Sequence, residues 1–114
     1  MTTITSKYNS KELEDIFSGL ENNLFGPTSD PGVYFVIRVQ IIGNKVIDEV
    51  VYVGSSKSIA KRVLNPNHIY RRLFSSTQDV VTRDYATTDY IELEKAFIAH
   101  FKPRYNKQHV PNGI

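Results

Sequence analysis

Residues 32–54 read GVYFVIRVQIIGNKVIDEVVYVG, and the way this stretch folds back on itself decides the fold. Residues 33–42 and 46–53 are two β-branched and aromatic runs, the composition that suits a pleated, half-buried surface. Gly43-Asn44-Lys45 separates them, and turn residues between two such runs predict a hairpin. In the first run Val33, Phe35, Ile37, Val39 and Ile41 alternate with Tyr34, Val36, Arg38 and Gln40, which gives an apolar face and a more polar one. Tyr52 shares a mixed face with Val50 and Asp48. A two-residue turn at Gly43-Asn44 sets Tyr34 opposite Val53 and sends the two phenols to opposite sides of the sheet. A loop with an odd number of residues, or a bulge, sets both on one side, because one residue of slip inverts every side chain. The sequence leaves both registers open, and each tyrosine taken singly reads as core.

The flanking segments are predicted from their patterns. "NSKELEDIFSGLENNLF" is expected to form an amphipathic helix with Leu13, Ile16, Phe17 and Leu20 on one face, Ser10 as its cap and Gly19 near its end. "GPTSDPG" is a loop leading into the first strand. "SSKSIAKRVL" reads as a helix with a serine cap, residues 65–77 as a partly irregular connection, and "QDVVTRDYA" as a third strand. "TTDYIELEKAFIAHFK" is the clearest helix, with Asp89 and Glu92 as a capping box and Pro103 marking its end. The order α-β-β-α-β-α predicts an α+β fold, a small α/β sandwich with a central antiparallel three-stranded sheet flanked by helices.

Composition narrows the function classes. The 114 residues fit one domain with a modest core, and with no cysteine the chain has neither disulfides nor thiolate metal sites. No apolar stretch approaches a membrane span, and "MTTITSKYNSKELED" lacks the apolar core of a signal peptide, so a cytoplasmic protein without a membrane partner is expected. Net charge is only +2, yet the charges are segregated. Residues 57–72 hold five bases (Lys57, Lys61, Arg62, Arg71, Arg72) and no acid, and Lys95, Lys102, Arg104 and Lys107 follow with no acid after Lys95. Residues 12–30 hold five acids and no base. A basic face that meets phosphates is one reading, and an unevenly charged solvated surface is the other.

The constellation adds what no single residue carries. "GVY" ending in Tyr34, "YVG" beginning at Tyr52, Arg62 ten residues later, Glu94 on a helix and "KPRYN" ending in Asn106 together resemble the GIY-YIG nuclease superfamily. The resemblance runs from Pro31 to Lys107. It implies a fold of the GIY-YIG type, with a stand-alone nuclease domain at 32–107 between a helix-and-loop extension at 1–31 and a tail at 108–114.

The resemblance also implies roles. Glu94 would be the sole protein ligand of a divalent metal, Mg2+ or alternatively Mn2+; such an ion keeps several waters, so one carboxylate suffices. Arg62 would clamp phosphate oxygens. Asn106 would tie the final segment to the sheet through backbone hydrogen bonds. One of the two tyrosines would activate water, helped by a group on the helix after "YVG". Position 66, where that helper often stands, is Pro66, so His68 and then Tyr70 are the expected replacements. Ser55 stands where a lysine is frequent. The 17 residues between the tyrosines exceed the family's usual spacing and imply an extended hairpin. Lys57, Lys61, Arg71 and Arg72 are the expected nucleic-acid contacts, and DNA the expected substrate of an endonuclease. A catalytically inactive nucleic-acid-binding protein on the same fold is the alternative. The N-terminal helix could serve a homodimer or a specificity partner, or pack on its own sheet.

Overall fold

In the computed structural model, which describes residues 7–23, 26–65 and 79–109, the hairpin closes through a two-residue turn. Ile42 pairs with Lys45, and Gly43 and Asn44 bridge them. Gly43 has φ 64°, a left-handed conformation that a side chain would strain. This turn alone would part the phenols. A bulge corrects the phase: Ile37 faces Val50 and Val36 faces Tyr52, so Val51 is the extra residue on the second strand. Past the bulge Tyr34 faces Gly54, and Tyr34 and Tyr52 lie on the same side.

The two strands are β1 (Gly32–Ile42) and β2 (Lys45–Ser56). A third, β3 (Val80–Ala86), pairs antiparallel with the other edge of β1, from Gly32–Ala86 to Arg38–Val80. The sheet order is β2-β1-β3, a small α+β fold with a three-stranded antiparallel sheet. Because β3 begins at the level of Arg38, the hairpin runs on beyond it, and Ile41 and Val46 near its tip are 76% and 67% exposed.

Each sheet face carries its own core. On one, Val33, Phe35, Ile37 and Val53 pack with Leu13 of α1 (Ser10–Ser18) and with Leu93, Ala96 and Phe97 of α3 (Tyr90–Phe101). Edge-to-face ring pairs link Phe35 to Phe17 and Phe97 at 5.1 and 4.8 Å, a geometry that aromatic quadrupoles favour. The apolar face of α1 thus packs on the chain's own sheet. On the other face, Tyr34, Val36, Val51, Tyr52 and Val80 pack with Ile59 and Val63 of α2 (Ile59–Val63).

Three helix starts differ from the sequence reading. The cap of α1 is Asn9, not Ser10: Asn9 Oδ1 accepts from Glu12 N–H at 2.8 Å, and Glu12 Oε1 accepts from Asn9 N–H at 2.9 Å. That reciprocal pair satisfies two of the donors a helix start leaves open. Asp89 does precede α3, but its side chain makes no cap bond. Its carboxylate instead accepts from the Tyr8 hydroxyl and pairs with Lys7 Nζ at 3.1 Å, tying the N-terminal segment to α3. The Tyr8 bond holds Asp89 below the usual carboxylate range and, with burial, pushes Tyr8 up to about 12. Ser58 precedes α2 without a side-chain cap; its N–H goes to Ser56 Oγ at 3.0 Å.

The 65–77 connection, with His68, Tyr70, Arg71 and Arg72, lies outside the described residues except for Asn65. Among the described residues no helix is long and apolar enough to cross a membrane.

Leu13 is 3% exposed within the core under β1, so α1 belongs to the cooperative unit. Leu13→Ala is expected to lower stability by about 2–5 kcal/mol, read from urea unfolding as a single transition with an earlier midpoint. A loss near zero would show that α1 is only loosely attached.

Candidate functional site

The site forms at the end of the sheet beyond the bulge. β1 supplies Tyr34, β2 supplies Tyr52, Gly54 and Ser55, α2 supplies Arg62, and α3 supplies Glu94. A 3-10 turn at Arg104–His109 supplies Asn106. β2 is an edge strand, whose outward N–H and C=O groups need partners where they are buried. Asn106 gives them. Its Oδ1 accepts from Val53 N–H at 2.8 Å, and its Nδ2 donates to Val53 C=O at 2.9 Å, so one side chain takes the place of a fourth strand. Asn106 is 4% exposed and neighbours the strand residue next to Tyr52, so the clamp fixes that tyrosine's backbone.

The two glycines of "GVY" and "YVG" are fixed by close approach. A Cβ on Gly54 would sit 2.3 Å from the Tyr34 hydroxyl, and one on Gly32 would sit 2.2 Å from the Tyr85 carbonyl oxygen. Gly54 therefore makes the space that the first phenol fills, and the rings of Tyr34 and Tyr52 lie 6.2 Å apart. Tyr105, half-buried against this cluster, has no role in the sequence reading, although its place beside Asn106 points to it.

Burial dominates the electrostatics. Tyr34 is 0% and Tyr52 4% exposed, and desolvation of the phenolate pushes both pKa values above the ordinary value of about 10. Two further influences compete. The Arg62 cation favours both phenolates, while the Glu94 charge disfavours both. The nearness of the two phenols raises Tyr34 further, because a charge on Tyr52 disfavours a second one beside it.

Glu94 is half-buried on α3, and its Oε1 accepts from Ser55 Oγ at 2.6 Å. Ser55 thus holds a rotamer of the carboxylate, a contact that the sequence reading missed because the two residues are 39 apart in the chain. Among the described residues there is no cluster of three or more His, Cys, Asp or Glu that could hold a metal. The oxygen set present, one carboxylate beside one hydroxyl, fits a hard divalent cation that keeps most of its waters, and does not fit an all-protein cage.

The expected basic surface is partly reassigned. Lys57 and Lys61 are exposed next to Arg62. Arg104 is committed to Glu49 through two parallel bonds of 2.9 Å, a bidentate pair that holds the 3-10 turn to β2. Lys95 lies 3.9 Å from Glu92. His100 faces Glu14 on α1 at 2.5 Å, away from the phenols.

Two outcomes test this arrangement. Asn106→Ala strands the buried N–H and C=O of Val53 and is expected to cost about 2–4 kcal/mol, measured by urea unfolding. The buried phenols also set an alkaline limit. Their folded pKa values lie above the unfolded value of about 10, so their contribution is intact below that pH and is lost as pH rises through the folded values. The fall in unfolding midpoint above about pH 10 should therefore be steep in the parent chain and shallower in Tyr34→Phe/Tyr52→Phe; equal slopes would contradict the burial argument. Comparison with protein-family models, with curated proteins and with solved structures returns no match for this chain.

Proposed function

We propose that the chain is a metal-dependent endonuclease of the GIY-YIG type that hydrolyses DNA phosphodiester bonds with a tyrosine-activated water. One observation carries the reading: Tyr34, Tyr52, Arg62 and Glu94, drawn from four elements, interact electrostatically at one end of the sheet.

The residues divide the work by their chemistry. Tyr52, as its phenolate, accepts the proton of the attacking water; the Arg62 cation favours that form. Tyr34, buried behind it, orients that phenol. Arg62 has five N–H donors, enough to hold Tyr52 and still bind a non-bridging phosphate oxygen. Glu94, oriented by Ser55, would hold the divalent cation. When bound, the cation supplies positive charge that stabilises the leaving oxygen and offsets the Glu94 charge that keeps the phenols protonated. Tyr52 first gives its own proton to solvent; the water oxygen then bonds to phosphorus as its proton passes to the Tyr52 phenolate, and the P–O bond to the departing nucleotide breaks, its oxygen leaving with the bonding pair and taking a proton from solvent.

The burial of both phenols favours a second reading. With pKa values held above 10, they could serve as packing in a nucleic-acid-binding protein that does not cut.

Incubation with supercoiled plasmid and Mg2+ or Mn2+ separates the two. Cleavage is expected, with Glu94→Ala and Tyr52→Phe each slower by about 10²- to 10⁴-fold, while Lys61→Ala weakens binding with little change in the maximal rate. Binding without cutting under either metal supports the second reading. Equal cutting by Glu94→Ala removes the single-metal assignment.

A further inference from the structure

α2 cannot stand by itself. It has five residues, well below the length at which a helix is stable in water, and no side chain caps its start. Yet it carries Arg62. What holds its start is the loop at 26–31, in the extension that precedes β1. Thr28 C=O accepts from Ala60 N–H at 2.9 Å, and Asp30 C=O accepts from Ile59 N–H at 3.1 Å. These carbonyls satisfy donors that every helix start leaves open.

The loop itself is anchored on β3. Asp84 pairs with Tyr34 in the sheet and so lies on the same face. Its Oδ2 accepts from Thr28 N–H at 2.8 Å, and Asn23, earlier in the same segment, is tied to β3 as well. Asn23 is fixed in turn by Thr82, through N–H to C=O at 2.8 Å and Nδ2 to Oγ1 at 3.0 Å. Asp84 Oδ1 is buried without a hydrogen-bond partner among the described residues. A half-satisfied buried carboxylate is expensive to keep. Thr28 is therefore both the residue that Asp84 grips and the residue whose carbonyl holds α2.

We infer that Asp84 is a positioning residue for Arg62, acting through Thr28 and the 26–31 loop on the first turn of α2. The inference deepens the proposed nuclease reading for its catalytic consequence, but the mechanical link stands on the hydrogen bonds alone. Asp84 sets where α2 begins, and with that where the guanidinium points.

Amide hydrogen exchange on the full chain tests the link without any assay of cleavage. Asp84→Leu, similar in shape, removes the acceptor. Its Ile59 and Ala60 amides are expected to exchange on the order of tenfold faster, while Phe35 and Val36 amides in the sheet stay within about twofold. Asp84→Asn retains an acceptor for Thr28 N–H and should keep the parent protection. Should Asp84→Leu fail to fold, Asp84→Ser, too short to reach Thr28, carries the same measurement. Unchanged exchange at Ile59 and Ala60 overturns the inference. So does a uniform rise across the sheet, which would mark a merely structural role. In the cleavage assay Asp84→Leu should lower kcat as Arg62→Ala does, and the double variant should be no slower than Arg62→Ala. Multiplying losses would overturn the coupling. A parent chain that cuts nothing would defeat the nuclease reading, and the exchange result would still decide the role of Asp84.

Discussion

One extra residue on β2 sets the geometry on which the site depends. The two-residue turn at Gly43-Asn44 pairs the strands in a phase that would place Tyr34 and Tyr52 back to back. Val51 breaks that phase, and every residue beyond it on β2 changes sides relative to a regular ladder. Because the bulge sits between the turn and the site, the distal hairpin keeps its regular pairing while the proximal end gains a shared phenol face. Val51 and Tyr52, consecutive in sequence, both enter the same cluster as Tyr34. A regular strand could not place neighbours on one side.

The bulge would be of little use without the groups that make the far end rigid. Gly54 admits the Tyr34 ring, and Asn106 closes the edge of β2 at Val53, so the strand is held from both sides just where its ladder was disturbed. Ser55 then fixes the Glu94 carboxylate from the next position along β2. Three consecutive residues, Val53, Gly54 and Ser55, thus serve the clamp, the space for one phenol and the acidic group. The remaining member, Arg62, rides on a helix too short to hold itself, and its support comes from outside β2.

The parts of this arrangement legible in the sequence were those written in local pattern. Alternation and the Gly-Asn turn specified the hairpin, and the apolar spacing of Leu13, Ile16 and Phe17 specified α1 and the face it buries. The bulge was legible only as one of two ways to bring the phenols together, since an extra β-branched residue between Val50 and Tyr52 leaves no compositional mark. The helix caps misled for a related reason. Asn9, Ser10 and Asp89 all have cap chemistry, and which one caps depends on what else reaches it; Tyr8 and Lys7, some eighty residues away, claim Asp89. Ser55 to Glu94 and Asp84 to Thr28 are likewise contacts of chain-distant residues, which local periodicity does not encode.

Burial sets the electrostatics of the site. Desolvation outweighs Arg62 at both phenols, and the Glu94 charge acts in the same direction as burial. Removing the burial would not help, since an open phenol would lose the fixed geometry and the short reach to Arg62. A positive charge placed beside Glu94 would oppose one of these contributions and leave the packing intact. The Arg62 cation already opposes burial at both phenols. Two tyrosines on one face are held in different ways: Tyr34 fills the space that Gly54 leaves, and the backbone of Tyr52 is fixed through the Asn106 clamp on its neighbour Val53.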